Sequence, residues 1–211
     1  MPYAAGMESS LRDRKKVRTR AALVAAATEL FTTRGYEQTT VADIAAAADI
    51  GTRTFFSYFA SKEELLFPSS DARVKAAVDA IAARAPDDEP ANVLLRALRN
   101  AAAADDDLVS PLAKLRLELI RTVPAVRGRG LQLQADAQRE IGRQLAAAFP
   151  EQLDEVSAVA LVGAFTGAVA GALQVLLDDP EAVASGPEAL KERVQRATDV
   201  ALRPWSRRES A

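Results

Sequence analysis

Residues 39–66, TTVADIAAAADIGTRTFFSYFASKEELL, decide the fold. Thr40 stands three residues before Asp43, the pattern in which a hydroxyl and a carboxylate satisfy the unpaired amides of a helix start. Ile44, Ala45 and Ala48 then share one face of a short helix. Asp49, Ile50 and Gly51 supply a turn, after which 52–58 forms a second short helix. On it Phe55 and Phe59 lie four apart and point the same way. Ser61 and Glu64 repeat the capping pattern and open a fourth helix, which Pro68 interrupts after little more than a turn, with a restart near Ser70.

Upstream, the first helix is expected over 19–33, or from Ser10 if Ser10 and Asp13 form a capping box. Leu23, Ala27, Leu30 and Phe31 share a face of it, and Gly35 is placed to turn the chain away. Two short helices joined by a tight turn and packed on a longer one make a helix-turn-helix, whose second short helix enters the DNA major groove. With Phe55 and Phe59 in the core, Thr52, Arg53, Thr54, Phe56, Ser57 and Tyr58 are left on or near the open side. Arginine can fork onto guanine, threonine and serine can bond bases or phosphates, and an exposed aromatic can pack on thymine methyls. Arg53 fits either a base or a phosphate contact.

Charge is divided in the sense this reading requires. Residues 1–62 carry nine Lys/Arg against six Asp/Glu, and 63–211 carry eighteen against twenty-three. Just ahead of the first helix, Arg12, Arg14, Lys15, Lys16, Arg18 and Arg20 face only Asp13, which suits a DNA-hugging arm as well as a solvated tail. The arm is assigned to Arg14, Lys15, Lys16 and Arg18. Histidine and cysteine are both absent, which removes thiol nucleophiles, imidazole bases and nitrogen or sulfur metal ligands. No enzyme, metal site or cofactor is therefore expected.

Hydrophobic residues make up 49% of 211, enough for a packed core. The remaining helical patterns fall at 91–104, 108–122, 125–149, 151–177 and 187–203, punctuated by prolines, so the chain reads as all-α. The apolar stretch 156–177 is about as long as a membrane span, which needs roughly twenty residues. Acidic residues flank it at both ends and alanine and glycine dilute it, so a buried helix is expected and no membrane partner. Gly163, Gly167 and Gly171 recur every four residues and line a stripe where another backbone can approach, either a second subunit or a neighbour in the same chain. Residues 1–6 show no signal-peptide pattern, and a cytoplasmic location is expected.

The run 39–45 followed by 54–66 resembles the signature of the TetR family of bacterial repressors, over roughly residues 15–66. The resemblance implies two domains: 1–66, a basic arm and helix-turn-helix, and 67–211, a helical domain for ligand binding and dimerisation. By position it implies phosphate contacts from Thr40, Tyr58 and Lys62, and base contacts from Thr52, Arg53, Thr54 and Phe56. Where the family commonly has glycine and then serine in the turn, this chain has Asp49 and Gly51, both compatible with the turn.

The family's last two long helices pack on their symmetry mates, which implies a homodimer built on 151–177 and 187–203. A regulatory pocket is implied among helices from 91 to 177. Leu112, Leu115, Leu119 and Phe165 are its candidate lining, and Arg116 and Arg121 fit either an anionic ligand head group or surface ion pairs. The expected partners are double-stranded operator DNA, a small, mostly apolar effector and a second copy of the chain. A helical binder of small molecules or acyl thioesters without DNA function is the alternative, against which the basic arm and the 52–62 motif speak.

Overall fold

The computed structural model describes the backbone of residues 3–104 and 110–205, and side chains over 13–100 and 110–204. The described residues form ten α-helices and no strand. They divide into two compact units, Met1–Pro68 and Ser69–Ala211.

In the first unit α1 runs Tyr3–Arg34, longer than the expected 19–33. Nothing in 11–20 stops it: the run has no proline or glycine and is rich in arginine and lysine, which favour helix. The positions expected to form an arm ahead of the helix are therefore part of it, while the Ser10 box lies outside the described side chains. Leu23, Ala27 and Phe31 are buried at four-residue spacing, with Leu30 half-buried beside them. Gly35 ends the helix at a φ of 91° that side-chain-bearing residues rarely adopt.

Next, α2 spans Val41–Ala47 and α3 Thr52–Phe55. Winding continues past Phe55 through tighter bonds, Ser57 N donating to Thr54 O at 3.0 Å and Tyr58 N to Phe55 O at 2.9 Å. The expected fourth helix is instead a 3-10 turn, Glu63–Leu66. Pro68 disfavours helical geometry at Phe67 and offers no amide, so only one turn can form. Its last bond, Phe67 N to Glu64 O at 3.0 Å, has i to i+3 spacing.

The second unit contains α4 Ser70–Ala82, α5 Pro90–Ala104, α6 Pro111–Thr122, α7 Pro124–Ala148, α8 Glu155–Asp178, α9 Pro180–Ala184 and α10 Pro187–Leu202. The short α9 was not expected from the sequence. Residues 108–109, expected in α6, lie outside the described residues. The start of α8 falls four residues later than expected because Asp154 caps it, accepting from Ser157 N at 2.7 Å. Ile81, Leu94, Leu145 and Leu161 belong to one apolar cluster, and Leu98, Leu173, Leu177 and Val194 to another.

Two contacts organise this unit. At Gly142 in α7 an added Cβ would stand 3.0 Å from Val159 Cα and closer still to its side chain, so only glycine lets α7 and α8 meet there. The α4–α5 loop is closed by Arg96, whose guanidinium donates to Asp88 at 2.7 and 3.1 Å. By contrast, among the described residues outside the helix's own adjacent turns, nothing lies within 4 Å of a Cβ at Gly167 or Gly171, and Gly163 has only the Gln138 amide at 3.9 Å. Helix α8 is long and apolar enough to cross a membrane, and it leaves Val156, Ala160, Ala164, Gly167, Gly171 and Val175 exposed.

Candidate nucleic-acid interface

Helix α2 is started by its own first residues. Thr40 N donates to Asp43 Oδ2 at 2.9 Å and Asp43 N to Thr40 Oγ1 at 3.2 Å, a reciprocal capping box. These bonds from Thr40 hold the exposed Asp43 carboxyl below its ordinary value. Asp49 then turns the chain at φ 54°, the one positive φ among the described non-glycine residues. A short polar side chain tolerates that left-handed conformation better than most. Gly51 caps α3 with extended backbone and no side-chain bond.

The adjacent aromatics of α3 part company. Phe55 is 0% exposed and Phe56 55% exposed, with their rings edge to face at 5.3 Å. Phe59 is buried one turn on, its ring 6.0 Å from that of Phe55. This anchoring leaves Thr52, Arg53, Thr54 and Ser57 exposed beside Phe56, while Tyr58 is half-buried. The Ser57 hydroxyl donates to Thr54 O at 2.6 Å, so its lone pairs are what remain for a partner. On α1, Arg14, Lys15, Lys16 and Arg18 are all exposed.

Lys62, expected at a phosphate, is also tied into its own unit. Its ammonium donates to Tyr36 O at 3.0 Å and Thr39 O at 3.3 Å and lies 4.0 Å from the Tyr36 ring centre. Two of its three donors are thus held by the loop that delivers Thr40. The Tyr36 hydroxyl donates to Glu63 Oε1 at 2.6 Å, and burial followed by that bond pushes it well above its ordinary value. Burial also acts to raise Glu63, but bonds from Ser61 and Tyr36 outweigh it and keep the carboxyl low. Nothing in the sequence signalled this cluster, because Tyr36 and the Lys62–Glu63 pair stand 26 and 27 residues apart and meet only in the fold.

In the second unit Leu112, Arg116 and Leu119 face inward on α6, Leu115 is half-buried, and Phe165 on α8 packs against both apolar clusters. Of the two roles open to Arg121, the structure has the surface ion pair: the residue is exposed and donates to Asp178 at 2.8 Å. On α10, Leu190 and Val194 are buried while Ala197 and Ala201, also four apart, are exposed.

A buried aromatic pair holding a short helix with an outward polar and aromatic row, preceded by a capped helix and a tight turn, defines a helix-turn-helix protein of the DNA-binding class. The family profile described as bacterial regulatory proteins, tetR family, matches residues 23–67. The HTH-type transcriptional regulator TcmR of Streptomyces glaucescens is 33% identical over 150 residues, 69% of this chain and 66% of the relative. The match thus spans just under two thirds of that relative's length. Two solved structures share the fold, each covering 90% of this chain with a TM-score of 0.54. One is the TetR-family repressor FadR of Thermus thermophilus in complex with lauroyl-CoA, at 22% identity and 97% of its chain. The other is a tetR-family regulator of Shewanella sp. PV-4, at 21% identity and 99% of its chain. Residues 23–67 thus carry the TetR-family DNA-binding segment, and the chain as a whole is similar in sequence to an HTH-type transcriptional regulator and in fold to TetR-family regulators.

Proposed function

We propose that this chain is a sequence-specific DNA-binding transcriptional regulator, a repressor acting as a cytoplasmic homodimer and released from its operator by a small, mostly apolar ligand. Regulators of the family bind operator DNA, dimerise and bind small molecules. The observation that carries the reading here is the division of the 52–59 segment. Phe55 and Phe59 hold it from inside, and Thr52, Arg53, Thr54 and Phe56 stand out from it. An exposed phenylalanine beside an arginine and two threonines has the chemistry of base reading. Tyr58, Thr40 and the remaining donor of Lys62 grip phosphates, as do Arg14, Lys15, Lys16 and Arg18 along α1, while Ser57, whose proton is held by Thr54 O, is left to accept from an amino group of a base. On this reading 1–66 binds DNA and 67–211 binds ligand and partner.

The outward face of α8 is covered by a second copy of the chain and not by lipid. Support comes from the open space at Gly167 and Gly171 and from polar fastenings at both ends of the helix, the Asp154 cap and the Asp178–Arg121 pair. The effector lies beside Leu112, Leu115, Leu119 and Phe165, with Arg116 toward any anionic head group. An acyl thioester like that bound to the Thermus FadR has both features.

A mobility-shift assay on the DNA flanking the chain's own gene tests the function. A retarded band that random DNA does not compete away, with two inverted half-sites in a footprint, supports it. Equal affinity for flanking and random DNA refutes it. Titrating lauroyl-CoA with and without saturating flanking DNA tests release, since linkage requires each to weaken the other by the same factor.

A further inference from the structure

Arg20 closes the basic run of the sequence, yet it does not share that run's exposure. Residues 13–18 are exposed and Arg20 is half-buried. One terminal nitrogen donates to the Tyr58 carbonyl at 3.1 Å and the other to the Pro68 carbonyl at 3.1 Å. The guanidinium carbon sits 4.2 Å from the centre of the Phe59 ring. One side chain of α1 therefore holds three points: the end of the winding that starts at Thr52, its buried aromatic anchor, and the last residue of the N-terminal unit.

These are the points such a helix most lacks. An α-helix of four residues does not orient itself, because so short a segment is unstable without tertiary contacts. Carbonyls at a helix's end have no partner within it, and a cation there satisfies them and suits the local dipole. Only a guanidinium can do all three things together, since its rigid fork serves two carbonyls while its face rests on a ring; an ammonium is a point donor.

We propose that Arg20 is a positioning residue for the 52–58 reading segment, fixing its pose on α1 and tying it to the exit of the unit at Pro68 without touching DNA. The proposal rests on the reading of that segment as the base-reading element. The other role open to a basic residue in this run is to hold a phosphate, and the two roles give different signatures. A phosphate ligand contributes equally to all sequences and adds about 0.9 to the slope of log affinity against log salt. A positioning residue changes which sequence is preferred and leaves that slope alone.

The test compares the wild-type chain with Arg20→Lys, which keeps the charge and loses the fork, and with Arg20→Gln, which loses both. Affinities for flanking and random DNA are measured across salt concentrations, and amide hydrogen exchange is measured without DNA. For Arg20→Lys the ratio of flanking to random affinity should fall about tenfold or more, the scale of one lost base contact, with an unchanged slope. The Tyr58 and Phe59 amides should exchange at least about tenfold faster while those of α2 hold. Wild-type ratio and wild-type exchange in Arg20→Lys would overturn the proposal. So would equal losses on both DNAs in Arg20→Gln with a slope shallower by about one unit. If Arg20→Gln unfolds, Arg20→Lys decides. If the wild-type chain itself shows no preference for flanking DNA, the function fails, while the exchange data still decide whether Arg20 pins the segment.

Discussion

Lys62 and Tyr36 are joined twice, the ammonium donating to the tyrosine's carbonyl at 3.0 Å and resting 4.0 Å from the centre of its ring. A cation over a ring contributes about 0.5–1 kcal/mol at such partly exposed sites. A charged hydrogen bond adds a similar or larger amount. Lys62→Met should therefore lower stability by about 1–2 kcal/mol in the absence of DNA, read by denaturant unfolding. Through its remaining donor it should also make the salt slope of DNA binding shallower by about one unit. A lysine that only held phosphate would leave unfolding unchanged, and one that only braced the loop would leave the slope unchanged.

Arg53 stands exposed on α3 with no shared duty in the core. If it forks onto guanine, Arg53→Ala costs roughly 1–3 kcal/mol and relaxes preference at one base pair of each half-site. Selection from a randomised operator library reads this directly. Equal losses on operator and random DNA would reassign Arg53 to phosphate.

Gly142 and Gly167 make opposite predictions. At Gly142 a Cβ meets Val159 backbone at 3.0 Å, so Gly142→Ala should destabilise the folded chain by about 1–3 kcal/mol through overpacking. At Gly167 a Cβ meets nothing within 4 Å among the described residues beyond its own helical turns. On the proposed dimer, Gly167→Leu should leave helix content intact and shift light scattering from dimer to monomer through a clash with the second copy. A stable dimer would remove Gly167 from the interface, and a monomeric wild-type chain captured by lipid vesicles would assign the face to lipid.

The Asp88–Arg96 pair carries a pH dependence of definite sign. Hydrogen bonds from Arg96 and then from the Ala85 amide hold the Asp88 carboxyl below its ordinary value of 3.8. A depressed carboxyl stabilises the fold above the unfolded-state value, and the contribution is lost as pH falls below about 4 through the folded-state value. Asp88→Asn should cost about 1 kcal/mol at pH 7, an amount limited by partial exposure of the pair. Variant and wild type should converge in stability as acid protonates the native aspartate. A constant difference from pH 7 to pH 2 would show that the carboxylate's charge plays no part.

Local chemistry was legible in the chain itself. The Thr40 and Asp43 capping box, the left-handed turn that Asp49 accepts, the Gly35 stop and the four-residue spacing of Phe55 and Phe59 each depend on neighbours within a turn or two. These features define the helix-turn-helix and the all-α class, because capping and periodicity are short-range properties of the backbone. The destinations of the cations were decided by tertiary structure. Arg20 and Lys62 read as charge for DNA, and packing set donors of each on carbonyls 38 and 26 residues away. Arg121 met Asp178 across 57 residues, and Gly142 became indispensable only because Val159 was brought against it. Side chains four carbons or a guanidinium long can reach solvent or a carbonyl from the same helix position. Which they choose depends on what the fold sets beside them, a long-range fact that sequence spacing does not encode.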